Sequence, residues 1–87
     1  MPSNTYIDVI SGKSDYNIKY RDLQNLLLCL GFELKRQKGS HAIYYHNRFN
    51  IMMNIQKDGS KAKGYEIRQL RNIILQYGLH ENEKGAI

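Results

Sequence analysis

Two segments of the chain repeat apolar residues at the spacing of an α-helix. Residues three and four positions apart share one helical face, so each repeat predicts an amphipathic helix with one apolar side. A glycine directly follows each repeat, Gly31 in the first case and Gly78 in the second, and glycine suits the left-handed backbone that ends many helices. The apolar positions are Leu23, Leu26, Leu27 and Leu30 in the first segment and Ile67, Leu70, Ile73, Ile74 and Tyr77 in the second.

Between these segments the hydrophobic period changes to two. The stretches 32–38, 41–46 and 49–56 alternate apolar with polar residues or are rich in β-formers. The breaks between them, Gly39-Ser40 and residues 46–48, are short enough for hairpins and predict a three-stranded antiparallel meander. One face of such a sheet needs a cover, so we expect both helices to pack on it. The predicted fold is α+β with the order α-β-β-β-α, preceded by a short extra helix over residues 5–10.

The length of 87 residues predicts one domain, with a core over about residues 17–79 and a flexible tail over 80–87. The longest apolar run, Leu26 to Leu30, is far too short to cross a membrane, and the N-terminus lacks the pattern of a signal peptide. The single cysteine, Cys29, cannot form an intramolecular disulfide, and its apolar neighbours predict a place in the core. We expect a cytoplasmic protein that has no membrane partner.

Charge is concentrated in the middle of the chain. The net charge is +5, and residues 34–71 carry nine Lys or Arg against only Asp58 and Glu66. A basic stretch of this kind favours a polyanionic partner, although a solvated basic surface that aids solubility explains the charge equally well. The two acids lie in or beside the basic loop that follows the third strand, where we expect them to neutralise lysines rather than to bind magnesium.

His41 is the strongest candidate for chemistry. It is the first residue of the second predicted strand, directly after Gly39-Ser40, where a side chain can reach the rim of the sheet. Scission of RNA by its own 2′-hydroxyl needs a base, an acid and cations around the phosphate, and histidine can take either proton role near neutral pH. The alternative is a histidine that only caps the turn or packs at the strand end.

The remaining candidates are weaker. His46 and His80 are expected on the surface, and neither pairs with His41 at a ligand spacing, so we predict no metal site and no cofactor. Ser40 is expected to bind within the turn or to a phosphate. Among the tyrosines, we assign Tyr45 and Tyr77 to the core and Tyr44 and Tyr65 to base stacking or phosphate binding.

Two long segments of the chain resemble a known protein family. The segments "SGKSDYNIKYRDLQNLLLCLGFELKRQKGSHAIYYH" (residues 11–46) and "NIQKDGSKAKGYEIRQLRNIILQYGL" (residues 54–79) are similar to HicA-type toxins, and together they cover most of the chain. The most specific features are the Leu-Gly-Phe helix end, the Gly-Ser-His turn after a basic strand, and the Lys-Ala-Lys loop. HicA-type toxins are mRNA interferases of bacterial toxin-antitoxin pairs with a fold like the double-stranded-RNA-binding domain.

The resemblance implies that His41 is catalytic, that the substrate is mRNA cut with little sequence preference, and that a HicB-type antitoxin masks the site. Many relatives carry a second histidine after the third strand, where this chain has Gln56-Lys57, so a lysine, water or the RNA must supply the other proton group. The resulting hypothesis is a metal-independent endoribonuclease. Its expected RNA-binding residues are Arg36, Lys38, Ser40, Lys57, Lys61, Lys63 and, as a lesser contributor, Arg68. A non-catalytic RNA-binding or protein-binding module of the same fold is the alternative.

Overall fold

The chain folds into three helices around one antiparallel sheet, as seen in a computed structural model that describes residues 3–81. The helices are α1 (Asn4–Ser11), α2 (Tyr20–Cys29) and α3 (Gly64–Tyr77), and the strands are β1 (Phe32–Lys38), β2 (His41–His46), β3 (Ile51–Asp58) and β4 (Lys61–Ala62). The predicted α+β class, the order of helices and strands, and the short helix before the first long one are confirmed. Of the tail predicted over residues 80–87, residues 82–87 lie outside the described part of the chain.

The sheet contains a strand that the sequence pattern did not predict. Its order is β1-β2-β3-β4, and the two-residue β4 pairs with the end of β3 through Lys57↔Ala62 and Asp58↔Lys61. The chain before α2 then covers the outer edge of β4, since Ala62 N–H donates to Ile18 O at 2.9 Å and Tyr20 N–H donates to Ser60 O at 3.0 Å. The basic loop expected after β3 is therefore a tight hairpin, and its outer edge is hydrogen-bonded to the chain before α2.

A β-bulge interrupts the alternation of β1. Phe32 and Leu34 pair with His46 and Tyr44, but the register then shifts, so that Arg36 pairs with Ile43 and Lys38 pairs with His41. Paired residues of antiparallel strands share a face, so Lys35 is the extra residue of the bulge and reverses the alternation after it. Arg36 and Lys38 therefore lie on the face opposite to Phe32.

The core lies between the helices and one face of the sheet. That face contributes Ala42 and Tyr44 from β2 and Met53 and Ile55 from β3, all of which are buried. The helices contribute Val9 of α1, Leu23, Leu26 and Leu27 of α2, and Ile67, Leu70, Ile73 and Ile74 of α3. Val9 is fully buried, so part of the core comes from a segment before residue 17.

Three tyrosine assignments are wrong, and those of Tyr44 and Tyr45 fail because the sequence did not reveal which side of β2 is buried. Tyr44 is buried, and its hydroxyl oxygen accepts a hydrogen bond from Gln24 Nε2 at 3.2 Å, so it is a core residue rather than a stacking platform. Tyr45 lies on the opposite face, half-buried, and its hydroxyl donates to Asn50 Oδ1 at 2.7 Å. Tyr77 is exposed at the end of α3.

His46 and Cys29 also differ from expectation. His46 is the last residue of β2 and faces the core, where its Nε2 lies 3.0 Å from Leu30 O and its ring packs edge-on against Phe32. A Cβ at Gly31, whose φ is +101°, would stand only 2.8 Å from that Nε2, so the close approach requires glycine at this position. Cys29 is exposed at the end of α2 rather than buried.

A buried carboxylate joins β3 to α3. Glu66 is fully buried; its Oε2 accepts the Gln56 N–H at 2.7 Å, and its Oε1 accepts the Lys63 N–H at 3.2 Å. Instead of neutralising lysines at the surface, as expected, Glu66 satisfies two backbone donors, one in β3 and one at the start of its own helix. Burial raises the pKa of Glu66, and the two hydrogen bonds, followed by the charges of Lys63 and His41, lower it in part.

The burial of Val9 predicts that α1 stabilises the domain. We expect Val9→Ala to lower the free energy of unfolding by about 2 kcal/mol, because two buried carbon atoms are lost and a cavity remains. Urea denaturation measures the change. Ile7→Ala, in the same helix but at a half-exposed position, is the matched control. Equal effects of the two substitutions would show that α1 does not form part of the core.

The raised pKa of Glu66 predicts a pH-dependent stability. A carboxyl with a higher pKa in the folded state binds its proton more tightly there than in the unfolded chain, where the pKa is about 4.3. Its contribution is therefore complete below the unfolded pKa and declines as pH rises through the folded pKa. We expect the free energy of unfolding of the wild type, minus that of Glu66→Gln, to fall over that interval in urea titrations from pH 3.5 to 8. A difference that is independent of pH would contradict this.

Candidate active site

His41 stands on the face of the sheet that the helices leave open. It begins β2 and is exposed, while the alternate residues Ala42 and Tyr44 are buried. Its neighbours across the two strand pairs are Lys38 of β1 and Gln56 of β3. The turn Gly39-Ser40 that precedes it has φ of +59° at Gly39, a conformation that glycine adopts without strain. The imidazole is thus presented to solvent at the hairpin end of the sheet.

A cavity of about 260 Å³ adjoins the imidazole. We call it the open-face cavity, and its lining residues are Arg36, Lys38, His41, Ile43 and Asn54. Two of the predicted RNA-binding residues, Arg36 and Lys38, therefore lie beside His41. They do so because of the bulge at Lys35, since unbroken alternation from Phe32 would place both on the helix-covered face.

Ser40 and Lys57 lie on the other side of the hairpin. They line a larger cavity of about 570 Å³ between the start of α2 and the β1–β2 turn. We call it the helix-side cavity, and its lining residues are Lys19, Tyr20, Arg21, Gln24, Gln37, Gly39, Ser40, Lys57 and Ser60. The sequence hypothesis grouped these two residues with His41, whereas in the structure they line a different cavity from His41.

Lys19 and Arg21 are cations that the sequence analysis did not select. They bracket the start of α2, and with Lys57 they give the helix-side cavity three positive side chains. A signal for them was present in the sequence, because helices favour acidic residues in the first turn and basic residues there oppose the helix dipole. Asn54 of the open-face cavity carried no such signal, since an asparagine in a strand only indicates a polar face.

The remaining predicted cations make local contacts. Lys63 Nζ donates to Gln56 Oε1 at 3.2 Å, which places this ammonium beside the strand partner of His41. Lys61 Nζ donates to Asn17 Oδ1 at 3.0 Å, and Arg68 Nη1 donates to the Tyr16 hydroxyl at 3.2 Å. Lys61 and Arg68 line neither of the two cavities. Arg71, a further member of the basic stretch, is engaged by Asp15 at 2.9 Å.

Glu66 supports the backbone beneath His41. The carboxylate binds the N–H of Gln56, and Gln56 is the residue paired with His41. The charge of His41 is the smallest of the causes that lower the pKa of Glu66. The hydrogen bond from Gln56 to Glu66 joins β3 to α3 directly opposite the start of β2.

Residues 3–81 contain neither a cluster of metal ligands nor a helix suited to a membrane. No three His, Cys, Asp or Glu side chains in this range are grouped closely enough to hold a metal ion. None of the helices formed by these residues has the length and apolar character needed to cross a membrane.

Comparison with known proteins identifies the family. The family model described as "HicA toxin of bacterial toxin-antitoxin" matches residues 20–79, which extend from the start of α2 to just beyond the end of α3. No curated protein and no solved structure gives a match. The matched range contains all four strands, His41 and every lining residue of the two cavities except Lys19. The chain therefore belongs to the HicA toxins, the toxin components of bacterial toxin-antitoxin systems, and its partner is an antitoxin.

Proposed function

We propose that this toxin is a metal-independent endoribonuclease that cleaves mRNA and uses His41 as its general acid or base. The observation that carries the proposal is the position of His41: exposed at the hairpin end of the open face, with Lys38 directly across the β1–β2 pair. An imidazole can transfer a proton in phosphodiester cleavage, and a neighbouring ammonium group can stabilise the charge on the phosphate. The family match supports the role of a toxin.

The proposed cleavage reaction gives roles to His41, Lys38 and Arg36. In cleavage by the ribose 2′-hydroxyl, the attacking oxygen loses a proton, the departing 5′-oxygen gains one, and negative charge grows on the phosphate oxygens. His41 transfers one of these protons. Lys38 and Arg36 stabilise the charge, because both line the same cavity as the imidazole. Among the described residues, Lys38 is the nearest lysine by register for the second proton transfer.

The two cavities extend the proposed RNA contact over both sides of the β1–β2 turn. With the scissile phosphate at His41, a neighbouring phosphate reaches Ser40 and Lys57 in the helix-side cavity. Gln56 holds Lys63 near the site. Lys61 and Arg68 are outer contacts, and RNA would replace their existing hydrogen bonds. Phosphate contacts of this kind position an RNA strand without reading its sequence.

We further propose that the antitoxin is of the HicB type and covers the open face. An antitoxin that silences a nuclease must exclude RNA from its catalytic group. The exposed cations around His41 then favour an acidic surface on the antitoxin, since complementary charge speeds association and fixes the orientation of docking.

The proposal predicts that His41→Ala abolishes most RNA cleavage. Removal of a general acid or base typically lowers the rate about 10²- to 10⁴-fold. Single-turnover cleavage of a labelled single-stranded RNA measures this loss, and relief of growth arrest provides the readout in cells. Because His41 is exposed, the fold should survive, which circular dichroism verifies.

His80→Ala is the matched control, because His80 is also an exposed histidine but lies beyond α3. We expect it to cleave RNA at the wild-type rate. Undiminished cleavage by His41→Ala, with a wild-type circular dichroism spectrum, would remove His41 from the mechanism.

A non-catalytic RNA-binding module is the second candidate, favoured by the three cations of the helix-side cavity, which does not contain His41. RNA binding without cleavage by the wild type would select this candidate. Absence of RNA binding at low salt would select a protein-binding module instead.

Salt dependence tests the phosphate contacts. Each phosphate contact to a single strand contributes about 0.7 to the slope of log affinity against log salt concentration. We therefore expect Lys38→Gln, placed in the His41→Ala background to prevent cleavage, to reduce the slope by about that amount. Fluorescence anisotropy at several salt concentrations measures it. Lys13→Gln, an exposed lysine outside both cavities, should leave the slope unchanged. Equal slopes for all these proteins would exclude Lys38 as a phosphate contact.

A further inference from the structure

The open-face cavity combines three kinds of surface within one small space. Its floor includes Ile43, half-buried at the centre of the sheet; Asn54 is the strand partner of Ile43 and offers an exposed amide; and Arg36, Lys38 and His41 form its rim. A phosphate site alone needs only the cationic rim. The apolar floor and the amide are the additional features that call for an explanation.

From this combination we infer that the open-face cavity is a nucleobase subsite, in which a base next to the scissile phosphate packs on Ile43 and is read by the amide of Asn54. The inference rests on the proposed ribonuclease function and deepens it. Ile43 stands two residues from His41 along β2, about 6 to 7 Å away. A base is separated from the phosphate of its own nucleotide by a comparable distance, so one nucleotide can occupy both places.

The chemistry of a base suits this lining. Bases have flat apolar faces that pack on aliphatic or aromatic side chains, and polar edges that form hydrogen bonds in their plane. Ile43 and the aliphatic stems of Arg36 and Lys38 provide apolar surface, while the charged ends of the two cations remain free for phosphate. The volume of about 260 Å³ is sufficient for a single base.

The amide of Asn54 sets how strictly the base is read. A carboxamide carries one acceptor and two donor hydrogens, and the pairing edge of every base has a donor and an acceptor side by side. Asparagine at this position therefore accepts all four bases with modest preferences. A carboxylate carries acceptors only, so it selects an edge with two adjacent donors, which guanine offers at N1–H and N2–H₂.

The test is a change of base preference in Asn54→Asp. Oligodeoxynucleotides that contain one ribonucleotide confine cleavage to a single phosphodiester, and the base on either side of that bond is varied among A, C, G and U. We expect Asn54→Asp to raise the ratio of kcat/KM for guanine to that for adenine about tenfold or more, as one bidentate contact typically does. The added negative charge lowers kcat/KM for all substrates but cancels in the ratio.

Met52→Asp is the matched control. Met52 is exposed on the same strand and face, two residues from Asn54, and does not line the cavity. It introduces the same charge, so it should weaken binding without changing the guanine-to-adenine ratio. Circular dichroism confirms that both variants fold.

The outcomes separate this inference from the nuclease proposal. If the wild type cleaves and Asn54→Asp leaves the ratio unchanged, the base subsite is wrong and the nuclease stands. An unchanged ratio together with weaker capture of the antitoxin assigns the cavity to the protein partner, which also overturns the inference. If the wild type cleaves neither the oligonucleotides nor a natural mRNA, both the nuclease proposal and the base subsite are wrong.

Discussion

The bulge at Lys35 determines which side of the sheet carries Arg36 and Lys38. Before it, Phe32 and Leu34 share the face that the helices cover; after it, Arg36 and Lys38 lie on the open face across from Ile43 and His41. A strand of strict period two could not place Phe32 in the core and Lys38 beside His41. Because of this one extra residue, a single short strand contributes Phe32 to the core at one end and Lys38 to the candidate site at the other.

This division separates stability from chemistry. The residues that stabilise the domain are the buried side chains of the helices and of one sheet face, and the proposed catalytic groups lie on the other face in contact with solvent. The exception is Glu66, whose buried carboxylate holds the backbone of Gln56 opposite His41. Its raised pKa is the cost of placing a carboxylate in the interior, and the two backbone hydrogen bonds offset part of it.

The elements that could be predicted from the sequence are those with a sustained period. The repeats in α2 and α3 and the alternation in β2 and β3 gave the fold, because burial of one face imposes a pattern several residues long. Strand β4 has only two residues, too few to show any period. The tyrosine errors on β2 have another origin. Alternation sets Tyr44 and Tyr45 on opposite faces, but it does not state which face is covered, and burial of Tyr44 follows only from the packing of α2.

The site was predictable in composition but not in arrangement. A basic stretch around a Gly-Ser-His turn indicated polyanion chemistry, and the family match covers the segment that carries this pattern. The sequence could not divide the cations between two cavities, because the division depends on the bulge and on the return of Lys19 beside β4. Gln56 and Asn54 gain their importance only from the register of β2 and β3, which sets them opposite His41 and Ile43.

For the proposed ribonuclease, the fold and the site together constrain the form of RNA that could bind. The arrangement of helices and sheet is that of a double-stranded-RNA-binding domain, and such domains contact duplexes through shape and backbone. Fold similarity does not transfer that mode, however, because the contacts are made by particular side chains. A base that packs on Ile43 beneath Asn54 has to leave its stack, and in-line attack by a 2′-hydroxyl needs a backbone that is free to rotate, which a duplex restrains. Both requirements favour a single strand at His41, which is consistent with the proposal that catalysis takes place on the open sheet face rather than on the helical surface.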